Sequence, residues 1–254
     1  MKISACIITL NEESDLPRCL ASLKPVADEI VIVDSGSTDR TPFIATDHNA
    51  RFIRHDWEGY VAQKNFALQK ATGDWILSID ADEELSPELR DEILKLKEAG
   101  KDPEATGFDV SRVVFYENKW IRFGDWYPDR LVRLFRRDRA RFEGGAVHER
   151  LEIQGPVQSL KGELYHYTYR NLADQMACIE NYSTLWASSA FKEGKRAGLL
   201  TPYLHAIVRF LRAFILKGGF KGGLLGWRIA SLNAREVYLK YKKLRNLANS
   251  PGSV

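Results

Sequence analysis

Short apolar runs alternate with stretches of helical periodicity along the first part of the chain. Residues 3–9, 29–33 and 75–79 are apolar runs with β-branched side chains, which are typical of buried strands in a parallel sheet. Residues 16–23 and 61–70 place apolar side chains three or four positions apart, which predicts helices. The alternation predicts an α/β fold with a mostly parallel sheet.

Polar residues follow the first two predicted strands at their carboxyl ends, where open α/β sheets bind ligands. Thr9, Asn11 and Glu12 come after the first strand. Asp34 ends the second strand, and Ser37 follows in a Gly-Ser loop. An acid at this position can hydrogen-bond a ribose hydroxyl or a base edge, while Ser37 can also begin the next helix as its N-cap. The two roles are compatible.

Two acids, Asp80 and Asp82, follow the third apolar run and are separated only by the small Ala81. Carboxylates at this edge of a sheet can hold a hard divalent cation, which can in turn hold a diphosphate. An isolated Asp-X-Asp is also common in solvated turns. No Gly-x-Gly-x-x-Gly follows the first strand and no Gly-x-x-x-x-Gly-Lys-Ser/Thr occurs, which disfavours a dinucleotide-binding fold and excludes a P-loop enzyme.

Four motifs occur in a defined order: Ile-Ile-Thr-Leu-Asn-Glu-Glu, Ile-Val-Ile-Val-Asp-Ser-Gly-Ser-Thr-Asp, Gln-Lys-Asn and Ile-Asp-Ala-Asp-Glu. Together they resemble family 2 glycosyltransferases of the GT-A fold. The later motifs Arg-Leu-Phe-Arg-Arg and Val-His-Glu are similar to motifs of the family branch that adds glucose to the inner core of bacterial lipopolysaccharide. The resemblance implies a Rossmann-like nucleotide-sugar-binding domain, a C-terminal helical extension, and metal-dependent, inverting transfer from a UDP-sugar to a glycolipid acceptor.

The resemblance also implies roles by position. The nucleoside, uridine, is expected to contact Thr9, Asn11, Glu12, Asp34 and Ser37. Asp80, Ala81 and Asp82 are expected to hold the diphosphate and a divalent metal, either Mn²⁺ or Mg²⁺. His166 is the expected third metal ligand, although a lone histidine is more often a plain hydrogen-bonding residue. Lys64 is expected beside the donor or, equally, as a solvated charge on its helix.

The segment after the acidic pair is expected to bind the acceptor. Trp126 and Tyr127 belong to an aromatic cluster around Gly124, which can stack on sugar rings or fill a small hydrophobic core. Arg130 and Arg133 lie in an arginine-rich strand. Arginine binds phosphate well, so these two side chains are candidates for contacts with the acceptor or the leaving diphosphate. Surface ion pairing with nearby acids is the alternative.

Inversion at an anomeric carbon requires a general base that removes the proton of the attacking hydroxyl. We interpret Glu149, in Gly-Gly-Ala-Val-His-Glu, as this base, because the glycines let the backbone approach a ligand. His148 would orient Glu149 or the acceptor, and Asp129 is the second candidate for the base. In the alternative interpretation Glu149 is a loop acid paired with Arg150.

Charge is unevenly distributed along the chain. Residues 170–254 contain 14 Lys and Arg against 4 Asp and Glu, whereas residues 1–169 contain 23 against 30. We therefore predict a catalytic domain at 1–169, with a nucleotide-binding half at 1–100 and an acceptor half at 101–169, and a basic helical region at 170–254. An acidic enzyme-like half would repel phosphates, which argues against a nucleic-acid partner.

Residues 203–216 in the basic region have the periodicity of an amphipathic helix. One stripe carries Tyr203, Leu204, Ile207, Val208, Leu211, Phe214 and Ile215. Arg209 and Arg212 lie off this stripe. The pattern suits a helix on an anionic membrane surface. It also suits a helix that packs on the catalytic domain or on a second subunit of a homo-oligomer.

The chain has no signal-peptide pattern and no run of apolar residues as long as the ~20 needed to cross a bilayer. It has three cysteines, and Cys6 and Cys19 lie on predicted core faces, as buried thiols do in a reducing compartment. We expect a cytoplasmic protein that lies peripherally on the cytoplasmic face of the inner membrane.

Two other functions are open on the sequence alone. Glycosyl transfer to a polyprenyl phosphate carrier would need no strong base, because the acceptor is already a phosphate. A non-catalytic binding module would bind no UDP. A sugar-1-phosphate nucleotidyltransferase is disfavoured, because its Gly-rich N-terminal loop is missing.

Overall fold

The structure is a computed structural model that describes residues 1–145, 148–169 and 171–249. The chain forms two compact units. The first consists of Met1–Val114 and Asp129–Thr168, and the second of Phe115–Pro128 and the chain from Tyr169 onward. The division predicted from sequence, 1–169 and 170–254, differs from these units for Phe115–Pro128, which groups with the C-terminal helices, and for the single residue Tyr169.

Strands and helices alternate through the first half of the first unit. In chain order they are β1 (Ile3–Thr9), α1 (Leu16–Leu23), β2 (Glu29–Asp34), α2 (Thr41–Asp47), β3 (Arg51–Arg54), α3 (Tyr60–Lys70) and β4 (Trp75–Ser78). Strand β1 pairs in parallel with β2 on one side and with β4 on the other. Their carboxyl ends consequently meet at one edge of the sheet.

The second half of this unit extends the same sheet with both antiparallel and parallel pairs of strands. Its elements are β5 (Glu83–Leu85), α4 (Pro87–Glu98), β6 (Gly107–Tyr116), β8 (Asp129–Arg136), β9 (Ala140–Gly145), β10 (His148–Ile153) and β11 (Val157–His166). The strand order is β3-β2-β1-β4-β8-β6-β11-β5, and β9 and β10 form a separate hairpin. Strand β8 runs antiparallel to both β4 and β6, so the late strand that carries the arginines lies beside the strand that precedes the acidic pair.

Apolar residues of the central strands face two hydrophobic clusters on opposite sides of the sheet. In β1, Ile3, Ala5 and Ile7 belong to one cluster, while Cys6 belongs to the other. This alternation follows from the two-residue repeat of a strand. Helices cover both faces, which explains why the central strands read as continuous apolar runs. The predicted α/β fold is confirmed, but the sheet is mixed rather than mostly parallel: it is parallel over β3-β2-β1-β4, whereas β8 runs antiparallel to both its neighbours.

The second unit is largely helical. It contains β7 (Lys119–Ile121), a 3₁₀ turn at Gly124–Trp126, α5 (Leu172–Lys192), α6 (Thr201–Leu211), a π-helical segment at Arg212–Leu216, a 3₁₀ turn at Gly219–Gly222, and α7 (Gly223–Asn249). Ala187 and Ala190 of α5 pack on Leu244 of α7. The predicted helical C-terminal region is confirmed. Within the described residues, no helix has the length and apolar character needed to span a bilayer.

Candidate active site

Loops at the carboxyl ends of β1 and β2 form a tightly hydrogen-bonded rim. Thr9 and Asp34 are register partners, and Thr9 Oγ1 donates to Asp34 Oδ2 at 2.9 Å. The backbone N–H groups of Gly36 and Ser37 donate to Asp34 Oδ1 at 2.9 and 2.8 Å, and Ser37 Oγ donates to Asp34 Oδ2. Four donors thus occupy the roughly four lone-pair sites of an ionised carboxylate. A nucleoside can contact Asp34 only if one of these donors, such as Ser37 Oγ, moves away.

Asn11 and Glu12 join the two loops to each other. Asn11 has a left-handed backbone, with φ at 59°, which asparagine tolerates better than most residues. Its N–H donates to Ser37 Oγ at 2.8 Å, and its Oδ1 accepts the N–H of Thr38 at 2.9 Å. The N–H of Glu12 donates to Thr41 Oγ1 at 2.8 Å. The residues predicted to contact the nucleoside are therefore brought together in one rim, and their nucleoside contacts stay a prediction.

Three consecutive side chains of α3 connect this rim to the rest of the site. Gln63 is fully buried and donates to Ser35 Oγ at 2.8 Å. Asn65 makes a two-point contact with the backbone of Phe142, at 2.8 and 2.9 Å. Lys64 Nζ lies 3.3 Å from Asp80 Oδ1 and 3.2 Å from Glu149 Oε1. The Gln-Lys-Asn motif therefore holds the β2 loop, strand β9 and two carboxylates in fixed positions.

Asp80 belongs to a buried network of charges. Arg133 donates to Asp80 Oδ2 at 2.9 Å and to Glu83 Oε1 at 2.5 Å, and the N–H of Asp80 donates to Glu83 Oε2 at 2.9 Å. Although burial alone would raise it, the pKa of Asp80 is held well below its usual range by the charges of Arg133 and Lys64. Burial raises the pKa of Glu83; Arg133 opposes this shift and the charge of Asp80 adds to it.

Asp82 pairs with His166 on the other side of the buried Ala81. His166 Nε2 lies 3.2 Å from Asp82 Oδ2, and the N–H of Tyr167 donates to the carbonyl of Asp82 at 3.0 Å. Among the described residues no group of three His, Cys, Asp or Glu side chains is placed to hold a metal ion. Asp82 and His166 nevertheless offer one carboxylate oxygen and one imidazole nitrogen, a donor set that fits a divalent ion whose other ligands are phosphate oxygens and water.

Glu149 reaches the network through Lys64. It lies in β10 opposite Gly144 of β9, and 27% of its side chain is exposed. Arg150 pairs with Glu152 at 2.7 Å, so the alternative in which Arg150 neutralises Glu149 does not describe the structure. His148 belongs to the same strand, but its side chain lies outside the described residues, as do Ala146 and Val147.

The other predicted residues fall into separate environments. Arg112 donates to Asp129 Oδ2 at 2.9 Å and lies 3.4 Å from Glu83 Oε1, which connects Asp129 to the charge network. Arg130 instead pairs with Asp109 and donates to Ser111 Oγ at 2.9 Å. Arg130 and Arg133 are three positions apart in a strand, so they face opposite sides of the sheet. Arg130 is therefore ion-paired, as in the alternative interpretation. Phosphate could bind Arg130 only if its pair with Asp109 broke.

The aromatic candidates for acceptor binding lie in the second unit. The Trp126 ring contacts Tyr116 and Tyr169, with centroids 5.5 and 5.9 Å apart, and Trp126 Nε1 donates to Asn233 Oδ1 at 3.3 Å. Trp126 therefore belongs to a small hydrophobic core, which was the alternative to stacking on a sugar. Sugar stacking by Trp126 or by its half-buried neighbour Tyr127 stays a prediction.

Sequence reasoning missed Glu83 and Arg112 as members of the charge network. Glu83 follows Asp82 directly within the Asp-Ala-Asp-Glu-Glu motif, and Arg112 is one of two charged residues, with Asp109, in the mostly apolar strand β6. A charged residue in a predicted buried strand needs a partner, which is a signal that could have identified Arg112.

The family model and the curated relatives that match the chain agree on one family. The family model described as Glycosyl transferase family 2 matches residues 4–151, more than half of the chain. An uncharacterized glycosyltransferase of Rickettsia bellii is 32% identical, covering 97% of this chain and 87% of the relative. The lipopolysaccharide core biosynthesis glycosyltransferase LpsC of Rhizobium meliloti is 34% identical, covering 96% and 92%. Among solved structures, S. aureus TarS 1-349 in complex with UDP-GlcNAc is 16% identical with a TM-score of 0.49, covering 98% of this chain and 91% of that chain.

Proposed function

The chain belongs to glycosyltransferase family 2, and we propose that it moves a sugar from a UDP-sugar to a sugar hydroxyl of a membrane glycolipid. The observation that carries the proposal is the contact chain Asp80–Lys64–Glu149, with distances of 3.3 and 3.2 Å. It brings Asp80, one of the acids expected at the donor diphosphate, close to the expected base. The name of the LpsC relative supports the core of lipopolysaccharide as the class of acceptor.

In the proposed reaction Glu149 accepts the proton of the acceptor hydroxyl. The hydroxyl oxygen then forms a bond to the anomeric carbon from the face opposite the leaving group. The bond from that carbon to the diphosphate oxygen breaks, UDP leaves with the electron pair, and the configuration inverts. Glucose is the proposed sugar, because Val-His-Glu and Arg-Leu-Phe-Arg-Arg are similar to a glucose-transferring branch.

The negative charge that develops on the leaving UDP is the main electrostatic demand of this reaction. Lys64 and Arg133 are the cations nearest to Asp80. Arg133 Nε is buried and has no hydrogen-bond partner in the described part of the chain, so this guanidinium retains a donor. A divalent ion held by Asp82 and His166, either Mn²⁺ or Mg²⁺, would add Lewis-acid neutralisation of the diphosphate.

The proposed glycolipid acceptor lies in a membrane, so it also bears on where the protein works. We propose that it works as a peripheral protein on the cytoplasmic face of the inner membrane, where UDP-sugars are available. We likewise propose an anionic membrane surface, rather than a nucleic acid, as the partner of the basic C-terminal region.

A donor and variant screen tests the proposed function. UDP release is followed for a set of UDP-sugars with a core-oligosaccharide acceptor, with and without EDTA. Glu149→Gln should lower kcat by ~10²-fold or more, because general-base catalysis contributes about that much. The matched control is Glu152→Gln on the same strand, whose carboxylate pairs with Arg150; it should stay within about twofold of wild type, as surface changes usually do.

The outcomes separate the candidate functions. Full activity of Glu149→Gln with a polyprenyl phosphate acceptor would favour transfer to the phosphate carrier. Absence of UDP binding by the wild-type protein would leave a non-catalytic binding module. Activity that EDTA leaves unchanged would contradict the metal dependence.

A further inference from the structure

The second unit exposes large apolar side chains between Leu199 and Trp227 in unusual number. The most exposed include Leu200 at 64%, Val208 at 64%, Leu216 at 80% and Leu224 at 82%. They extend from α6 through the π-helical segment and the 3₁₀ turn to the start of α7. We name this surface, from Leu199 to Trp227, the apolar face. Contiguous exposed apolar surface of this kind marks an interaction site.

Helix α6 turns its aliphatic side chains outward, whereas an ordinary surface helix turns them to the core. Its polar and aromatic side chains make the internal contacts: His205 stacks on Tyr241 at 4.1 Å, and Arg209 pairs with Asp125 at 2.9 Å. The aliphatic Leu204 and Ile207 are instead 59% and 57% exposed. A helix in a soluble protein normally turns its apolar stripe to the core. The outward stripe therefore indicates that an apolar partner covers it.

Within the chain segment that carries the apolar face the charges are of one sign, although Arg209 and Arg228 pair with Asp125 and Glu117 elsewhere in the second unit. Between Glu193 and Glu236 the chain contains eight Lys and Arg and no Asp or Glu. Lys217 and Lys221 lie in the connection between α6 and α7, interspersed with exposed apolar residues, and both are exposed. Neither has an ion-pair partner among the residues that the structure describes. The partner that covers this face must accordingly tolerate positive charge or supply negative charge.

This charge pattern distinguishes a membrane from a second copy of the chain. A symmetric dimer through the apolar face would bring the same cations of two chains together, which is unfavourable. An anionic bilayer instead accepts apolar side chains at the acyl boundary and offers phosphate headgroups to the cations. The half-exposed Trp227, at 51%, is a residue type favoured at such interfaces.

We propose that the apolar face is the membrane-binding surface, with the stripe of α6 inserted among the lipids and Lys217 and Lys221 against anionic headgroups. The stripe is the one predicted from sequence, and the structure adds Leu216, Phe220, Leu224 and Trp227 to it. This inference rests on the proposed function in taking a membrane as the place of reaction. Vesicle binding is measured without donor or acceptor, so its failure and failure of catalysis are distinguishable.

Vesicle cosedimentation of the full chain tests the proposal. Wild-type protein should bind phosphatidylglycerol-containing vesicles and bind pure phosphatidylcholine weakly. The double variant Leu204→Asp/Val208→Asp should lose ~10²-fold or more in partitioning, because each of the two buried side chains contributes about 10-fold. Phe43→Asp is the matched control, since Phe43 is 68% exposed in the first unit and should leave binding unchanged. Circular dichroism establishes that each variant is folded.

A charge variant and a mass measurement complete the test. Lys217→Glu/Lys221→Glu should remove the preference for anionic vesicles, whereas Lys101→Glu, an exposed lysine of the first unit, should retain it. Wild-type binding that the aspartate variant does not weaken would overturn the proposal. So would a wild-type dimer in sedimentation velocity that dissociates in Leu204→Asp/Val208→Asp while neither protein binds vesicles.

Discussion

At the scale of single residues, Lys64 links two parts of the proposed reaction. Its Nζ contacts Asp80, expected at the donor diphosphate, and Glu149, the expected base. Its side chain is 9% exposed, so solvent compensates little for a lost partner. A bound diphosphate would compete with both carboxylates for this cation. We therefore expect donor binding to draw Lys64 towards phosphate and to free Glu149 for the acceptor.

Replacing Lys64 by methionine removes the charge and keeps most of the side-chain length. The variant should raise KM for the UDP-sugar by roughly 10-fold to 100-fold, the range expected for one lost charge-assisted hydrogen bond. Steady-state kinetics over a range of donor concentrations measure this effect. Lys70→Met, in the last turn of the same helix, is the control and should leave KM unchanged. An unaltered donor KM in Lys64→Met would show that Lys64 serves only to hold the fold.

At the scale of elements, Glu29 joins the start of β2 to the neighbouring strand β1 and to the segment that precedes β4. Its Oε2 accepts Ser4 Oγ of β1 at 2.6 Å and the N–H and Oγ1 of Thr72, before β4, both at 2.9 Å. Burial alone would raise the pKa of Glu29, but these hydrogen bonds and Arg51 lower it from 4.5. A carboxyl with a lowered pKa stabilises the folded state in its ionised form.

The pH dependence of unfolding tests this junction. The pKa of Glu29 is lower in the folded state than in the unfolded state. Its contribution to the free energy of unfolding should therefore be complete above pH 4.5 and should be lost as the pH falls through the folded-state pKa. Glu29→Gln should therefore cost about 1–2 kcal/mol of unfolding free energy near pH 7, and this difference should shrink in acid. Urea titrations at several pH values measure it. Glu98→Gln, an exposed acid at the end of α4, should show no such difference.

The elements also show what sequence could and could not predict. The alternation of β1 to β4 with helices was readable, because each element repeats a local pattern of apolar positions. The insertion of β8 between β4 and β6 was not, since pairing of strands distant in sequence leaves no local pattern. That insertion brings Arg133 against Asp80 and Glu83, so the buried charge network could not be predicted either. Lys64 and Glu149 were identifiable as candidates from motifs, but their contact depends on the β9–β10 hairpin.

At the scale of the whole molecule, charge separates along the chain as the sequence indicates. Residues 170–254 carry 14 Lys and Arg against 4 acids, and the apolar face lies entirely within this basic part. Electrostatic attraction acts over the Debye length, about 10 Å at 0.1 M salt and about 3 Å at 1 M. Apolar insertion does not weaken with salt. The two contributions to membrane binding should therefore respond differently to ionic strength.

Raising salt from about 0.1 M to about 1 M should weaken binding to phosphatidylglycerol vesicles by on the order of 10-fold, because screening removes much of the attraction of several cations. A residual affinity should persist, carried by the aliphatic stripe of α6. Leu204→Asp/Val208→Asp should lose that residual affinity, so that at high salt the variant no longer sediments with vesicles. Vesicle binding that does not change with salt would mean that the cations between Glu193 and Glu236 are not directed at lipid headgroups.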